Sequence, residues 1–325
     1  IMGGNALKEV KTKRLDKEQF EKCTAHVYEV LKSAFKTNEV VPIPSYESKA
    51  TFGDLDMLIT SEALNEEGGR DYLKRLAKEH FYSRQEKGNG NVLSFEYRNG
   101  PDEEHGFQVD IIDMPRQSFN FAYHYFAFND LGNLMGRLAN KMELKFGHEG
   151  LFLPLREGDN NYANVLITRN YNDAIEFLGF DKEGYKKGFK DVEDIFEYVA
   201  NSKYFNPNIF LLTEENSNYK HRRRNAKRST YVEFLNWCEN KEGLNNFEYP
   251  EDKSMWRQKI LEAFPGARER IEKTIQEKDD IQNMKERFKG EKITEWTGGY
   301  THQALGLIMS PVRKEFKSDI NFIAW

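Results

Sequence analysis

Apolar positions in the first third of the chain switch between two periods. In "KEQFEKCTAHVYEVLKSAFKT", Phe20, Cys23, Val27, Val30, Leu31 and Phe35 recur at helical spacing, which predicts an amphipathic helix over residues 17–37. "EVVPIPSYES" reads as a short strand that Pro42 and Pro44 break into a turn. "DLDMLIT" alternates with a period of two, as a strand does, and "EEGGRDYLKRLAKEHF" returns to the helical period. "NVLSFEYRN" and "GFQVDIIDM" are predicted as two more strands, separated by the polar "GPDEEHG". The order helix, strand, strand, helix, strand, strand implies a small mixed sheet with helices on one face, ending near Met114.

Strand signals then become rare. "FNFAYHYFAFNDLGNLMGRLANKMELKFG" is aromatic-rich and helix-like, and "NYNDAIEFLGF", "VEDIFEYVAN" and "TYVEFLNWCEN" follow in the same style. "MWRQKILEAFPGARERIEKTIQEKDDIQNMKERFKG" adds two helices split at Pro265 and Gly266. An α+β chain is therefore expected: a mixed-sheet domain over residues 1–150, then a mostly helical domain over 151–325.

Bulk properties narrow the function classes. The length of 325 residues suits two domains, and 24 Phe and 16 Tyr can supply a sizeable core. A formal net charge of -5 argues against general adhesion to nucleic acid or membrane, while leaving room for a local basic patch. No apolar run approaches the ~20 residues of a membrane span, so no membrane partner is expected. No signal-peptide pattern opens the sequence, and Cys23 and Cys238 lack metal-ligand spacing. Reduced, buried thiols in a cytoplasmic protein are expected.

The strand "DLDMLIT" carries the candidate chemistry. Asp54 and Asp56 stand one residue apart, so their side chains share a face of the strand. Like charges that close repel unless a cation lies between them. Asp110, flanked by Val109 and Ile111 in "QVDII", would complete a three-carboxylate cluster from a neighbouring strand. Hard oxygen ligands at that density suit Mg²⁺ or Mn²⁺. Without such an ion, Asp54 would cap a turn and Asp110 would be an ordinary polar strand residue.

"PSYESKATFGDLDMLI" resembles the active-site strand of the nucleotidyltransferase superfamily, most closely the palm of family X DNA polymerases. That palm has a Gly-Ser turn, a G-D-x-D followed by three apolar residues, and a later strand reading hydrophobic-Asp-hydrophobic. Gly53 to Ile59 matches the second element, Ser45 stands nine residues before Asp54, and Asp110 supplies the third carboxylate. The resemblance covers roughly residues 40–115. It implies that Asp54 and Asp56 bind both metal ions and that Asp110 stands beside the attacking hydroxyl. It further implies that Ser45, Lys49 and Gly53 meet the nucleoside triphosphate, ATP among the candidates. Independently of family, a turn offering N–H groups and a hydroxyl suits a phosphate. Pro44 stands where the family has glycine, and the turn is one residue shorter. About forty residues precede the palm, too few for helix-hairpin-helix domains, which points away from template-guided gap filling.

Two later segments bear on substrates. "SNYKHRRRNAKRSTY" packs Lys220, Arg222, Arg223, Arg224, Lys227 and Arg228 between Tyr219 and Tyr231. Rings beside cations suit base stacking next to phosphate contacts, although such runs also serve as solvated faces. Asn133, Arg137 and Asn140 fall at i, i+4 and i+7, a polar helix face expected either to contact the incoming nucleotide or to pair structurally with an acidic side chain. "FKGEKITEWTGGYTHQALGLIMSPVRKEF" is similar in layout to the tails of tRNA nucleotidyltransferases and poly(A) polymerases, with Leu305, Ile308, Met309 and Val312 at helical spacing and Gly306 among them. His148 in "FGHEG" reads as a turn or packing residue.

Three readings stay open. The leading one is metal-dependent transfer of an NMP or dNMP to a polynucleotide 3′ end, with RNA favoured. A second keeps the chemistry and changes the acceptor to a small molecule or a protein hydroxyl. A third is a catalytically silent nucleic-acid-binding module.

Overall fold

A computed structural model describes residues 5–287 and the isolated positions 294, 295, 298, 299, 303, 304, 306, 307, 310 and 311. The described residues fall in two compact units, within Ile1–Pro154 plus Leu166–Gln258 and within Leu155–Val165 plus Lys259–Trp325. The tail segment similar to poly(A) polymerases lies almost wholly outside the described residues, Leu305, Ile308, Met309 and Val312 included.

In the first unit a short strand, β1 (Leu15–Asp16), leads into helix α1 (Lys17–Ala34). Asp16 ends the strand and caps the helix, accepting from the Gln19 N–H at 2.9 Å while the Gln19 side chain accepts from the Asp16 N–H at 3.2 Å. Strands β2 (Val40–Pro42), β3 (Thr51–Phe52) and β4 (Asp54–Thr60) follow. The helical stretch after β4 forms two helices, α2 (Ser61–Glu66) and α3 (Gly69–Phe81). They part at Gly68 and Gly69, whose φ values of 117° and 67° are readily open to glycine. Strands β5 (Glu86–Asn89), β6 (Val92–Tyr97) and β7 (Phe107–Met114) complete a five-stranded sheet in the order β2-β4-β7-β6-β5. The central pair β4 and β7 runs parallel, and the other pairs are antiparallel.

Strand alternation gives the sheet two unlike faces. Leu55, Met57, Ile59, Val109 and Ile111 point to one side and pack with Val27 and Leu31 of α1 and Leu73, Leu76 and Phe81 of α3. Fully burying each such side chain contributes ~1.5–3 kcal/mol, which makes this layer the rigid base of the sheet. On the other side, Leu58, Ile112 and Met114 pack with Ala122. That residue belongs to helix α4 (Arg116–Phe126), which covers one end of this face. The polar residues Asp54, Asp56, Gln108 and Asp110 occupy the other end of the same face.

Helix α5 (Leu131–Lys141) is set off from α4 by Phe128 and Asn129, both at positive φ, so the helix-like aromatic-rich stretch holds two helices. The expectation of almost no strands beyond Met114 is also corrected. Strands β8 (Lys145–Gly147), β9 (Gly150–Glu157) and β10 (Asn160–Thr168) form a second sheet in the order β10-β9-β8. Thereafter the first unit is helical: α6 (Tyr171–Phe177), α7 (Lys182–Lys187), α8 (Val192–Ala200), α9 (Tyr219–Asn225), α10 (Ser229–Asn240) and the start of α11 (Ser254–Ala263). The second unit holds the end of α11 and the long α12 (Ala267–Arg287), where Lys278 pairs with Glu157 at 2.7 Å and lies over the Tyr162 ring. No helix among the described residues is long and apolar enough to cross a membrane.

Candidate metal centre

The parallel register of β4 and β7 sets Asp54 opposite Gln108 and Asp56 opposite Asp110. One carboxylate oxygen from each of Asp54, Asp56 and Asp110 lies within 4.8 Å of the others. Alternation also decides which acids are left out. Asp113, on the same strand as Asp110, points to the opposite face, where Arg70 meets it at 2.5 Å and the Ser61 hydroxyl at 3.2 Å. The cluster therefore collects the three acids of the sheet's other face.

Its electrostatics are those of a site short of positive charge. Asp110 is 1 % exposed, and burial, with the Asp54 charge adding, lifts its pKa to about 6 against the opposing pull of the Ser94 hydroxyl first and the Gln108 amide second. Asp56 is held well above the usual carboxylate range by burial first, then by the charges of Asp54 and Asp110. Its Oδ1 is closed off from solvent and has no hydrogen-bond partner among the described residues. A buried carboxylate oxygen left unmet costs stability, because water satisfied it in the unfolded chain. Two carboxylate oxygens on one Mg²⁺ sit at most ~4.2 Å apart, and paired ions sit ~3.5–4 Å apart. The spread of the three ligand atoms suits one such ion or a bridged pair, and the donor set is all hard oxygen.

Lys49 stands beside the cluster. Burial and the nearby Arg14 charge push its pKa down, while Asp54 and Asp56 pull it back up. The ammonium also lies 4.9 Å from the centre of the Phe52 ring. Arg14, which sequence patterns did not single out, donates to the Thr51 carbonyl at 2.9 Å and to its hydroxyl at 3.0 Å, fixing β3 just ahead of the acids. Gly53 is the single residue between β3 and β4.

Ser45 is half-buried in the turn between β2 and β3. The turn is stitched to the rest of the unit: the Phe128 N–H donates to the Pro44 carbonyl at 2.9 Å, and the Glu47 and Ser48 N–H groups donate to the Phe189 and Lys190 carbonyls at 3.0 and 2.7 Å. The Lys49 N–H turns back to the Tyr46 carbonyl at 3.3 Å. The N–H groups of 47, 48 and 49 thus serve the fold, and the expected phosphate cradle is reduced to the Ser45 side of the turn.

Arg137 does not join this group. It is buried, and its Nη2 donates at 2.8 Å to both the Ile209 and the Asn216 carbonyls, tying α5 to the 3-10 turn Pro207–Phe210 and the segment after it, while its Nε has no hydrogen-bond partner among the described residues. Asn133 on the same helix bonds Asn225 at 3.3 Å and accepts from Arg224 at 3.1 Å.

The basic stretch divides into two halves. Arg222 bonds the Ser217 carbonyl and Glu214, Arg224 bonds Asn133, and Arg228 forms an ion pair with the partly buried Asp130. Lys220, Arg223 and Lys227 are exposed and take part in no ion pair among the described residues. Of the flanking rings, Tyr219 is 65 % exposed, whereas Tyr231 is core, its hydroxyl donating to the Phe210 carbonyl at 2.6 Å. His148 packs as expected, its ring stacked on Phe126 at 5.4 Å. Both cysteines are free and at least partly buried. Burial pushes the Cys23 thiol far up and the Cys238 thiol to about 12, leaving neither as a nucleophile at neutral pH.

Gln108 is the site residue that sequence patterns missed. It is fully buried and donates to both oxygens of Asp110. Its position two residues ahead of Asp110, on the same strand face, was the available signal. No protein-family model matches the chain, and a search of curated proteins returns no match.

Proposed function

We propose that the chain is a two-metal nucleotidyltransferase. The observation that carries this reading is the buried, unpartnered Oδ1 of Asp56 inside a three-carboxylate cluster, a site that calls for a cation. Asp54 and Asp56 would hold both ions and Asp110 one of them. Bound Mg²⁺ or Mn²⁺ would lower the charge on the triphosphate and stabilise the attacking and leaving oxygens of an in-line displacement. The acceptor oxygen bonds to the α-phosphorus, the bond from that phosphorus to the β-phosphate oxygen breaks, and pyrophosphate leaves. Asp110, beside the attacking hydroxyl, takes its proton and returns it to water. Lys49 supplies positive charge toward the triphosphate, and the Ser45 hydroxyl is the remaining contact of its turn.

The acceptor we favour is a polynucleotide 3′ end, RNA before DNA. Exposed Lys220, Arg223 and Lys227 beside the exposed Tyr219 ring support it, since such a surface suits backbone phosphates and a stacked base. Pairing of Arg222 with Glu214 and of Arg228 with Asp130 favours a second reading, transfer to a small molecule or a protein hydroxyl, because it reduces the cationic surface.

The test is transfer of label from α-labelled nucleotides, with Mg²⁺ or Mn²⁺, into a total cell extract. Label that ribonuclease removes is the expected result, and Asp56→Ala should give none while keeping its fold. Protease-sensitive label, or label on a small solute, moves the acceptor to the second reading. Full transfer by Asp56→Ala would sink the metal-site reading.

A further inference from the structure

The rotamer preference of Asp110 does little to aim its carboxylate, because terminal carboxylate torsions are broad, so its neighbours must set the orientation. Both of its oxygens accept from one amide, the Nε2 of Gln108, at 3.0 and 3.1 Å. That amide is oriented from its far end. The Gln108 Oε1 accepts from the backbone N–H of Ala6 at 2.8 Å. A backbone N–H can only donate, so this contact fixes which end of the amide faces Asp110. A flipped amide would set an oxygen against the carboxylate and N–H against N–H.

Ala6 in turn belongs to a segment stitched along the sheet. Ala6 and Leu7 are buried, the Ala6 carbonyl accepts from Lys87, and the Glu9 N–H donates to Gln85 at 3.0 Å. The Lys13 N–H donates to the Gly106 carbonyl at 2.8 Å, and the Gly106 N–H donates back to Lys11 at 3.2 Å. Leu15 and Asp16 then pair with Phe52 and Thr51, one residue short of the G-D-L-D run. Residues 5–16 therefore touch both carboxylate strands, β7 at Gln108 and β4 through β3.

We infer that Gln108 is a positioning residue for Asp110 and that the segment of residues 5–16 sets it through Ala6. The inference rests on the metal-site reading above. With an ion bound, a carboxylate held by the Gln108 amide would meet it already turned. Partners of this kind behind a metal ligand typically change affinity by 10–100-fold.

The experiment is Mn²⁺ binding to the full chain, read from the free-Mn²⁺ paramagnetic signal, for the natural sequence, Gln108→Met and Ala6→Pro. Methionine keeps the volume and cannot donate; proline removes the Ala6 N–H and leaves the amide in place. Gln108→Met should weaken Mn²⁺ binding by roughly 10–100-fold, and Ala6→Pro should weaken it in the same direction by less. Saturating Mn²⁺ should restore kcat of Gln108→Met to within a few-fold, with the whole defect in the metal concentration required. Should Gln108→Met fail to fold, Ala6→Pro decides the matter. Natural chain and variants binding Mn²⁺ equally well would overturn the inference and leave the proposed function standing. A natural chain that binds no Mn²⁺ would remove both, at the metal reading.

Discussion

Asp110→Asn should make the metal-free protein more stable at neutral pH while removing its activity. The carboxyl is almost fully buried and its pKa sits at about 6 where an unburied aspartate has 3.8, the rise coming chiefly from burial. A folded-state pKa above the unfolded one means that the folded chain binds the proton more tightly. Stability is then highest at low pH, falls as pH rises from about 4 through about 6, and stays at its lower level above. A difference of about 2 units corresponds to roughly 3 kcal/mol by pH 7. Asparagine removes the charge and with it this cost. It also gives up one of the two contacts with the Gln108 amide, since an NH₂ would face an NH₂, a loss of about 1 kcal/mol. The net expectation is a gain of about 2 kcal/mol at pH 7. Urea unfolding of both proteins in a chelator, at pH 7 and at pH 4, reads it directly. The difference should be largest at pH 7 and should shrink close to zero or reverse at pH 4, where the folded Asp110 is protonated and most of the charge-burial cost is gone. Other carboxylates with lowered values, Glu39 beside Arg116 and Glu103, titrate alike in both proteins and cancel. Added Mg²⁺ should stabilise the natural chain and leave the variant unmoved. A variant less stable at pH 7, or a difference that ignores pH, would refute the reasoning.

Neutralising Lys220, Arg223 and Lys227 together should raise KM for a polynucleotide acceptor and flatten its salt dependence by about 2 in log–log slope, with the KM for nucleotide unmoved in the same assay. Arg228→Ala should instead leave the partly buried Asp130 without its ion pair and cost about 1–3 kcal/mol in urea unfolding. Arg137→Met should cost about 1–3 kcal/mol, because the buried Ile209 carbonyl and the partly buried Asn216 carbonyl lose their donor. Its KM for nucleotide should not change, and a large rise there would restore Arg137 to the nucleotide site.

The sheet and its acids were legible because alternation is a local property. "DLDMLIT" and "FQVDIID" each state which residues share a face, and pairing them in parallel brings the three aspartates together. The second sheet was less legible. Pro154 inside "GLFLPLRE" argues against a strand, yet β8 pairs with β9 only from Gly150 to Phe152, so no partner on that side asks Pro154 for an N–H. Helix phase showed that Asn133 and Arg137 share a side of α5, but not that this side turns inward onto the Ile209 and Asn216 carbonyls. Charge counting found the basic stretch and could not divide it, since Asp130 and Asn133 lie some ninety residues away in sequence. Gln108 escaped for the same reason: its meaning comes from Ala6, at the other end of the sheet-forming region.

Reaction class is the central claim, and parallel incubations with α-labelled and γ-labelled ATP test it most directly. With Mg²⁺ and extract RNA, the account predicts α-label on the acceptor, γ-label in pyrophosphate in equal amount, and neither with Asp56→Ala. γ-Label on the acceptor, or γ-label released as free phosphate with no α-label transferred, would contradict it.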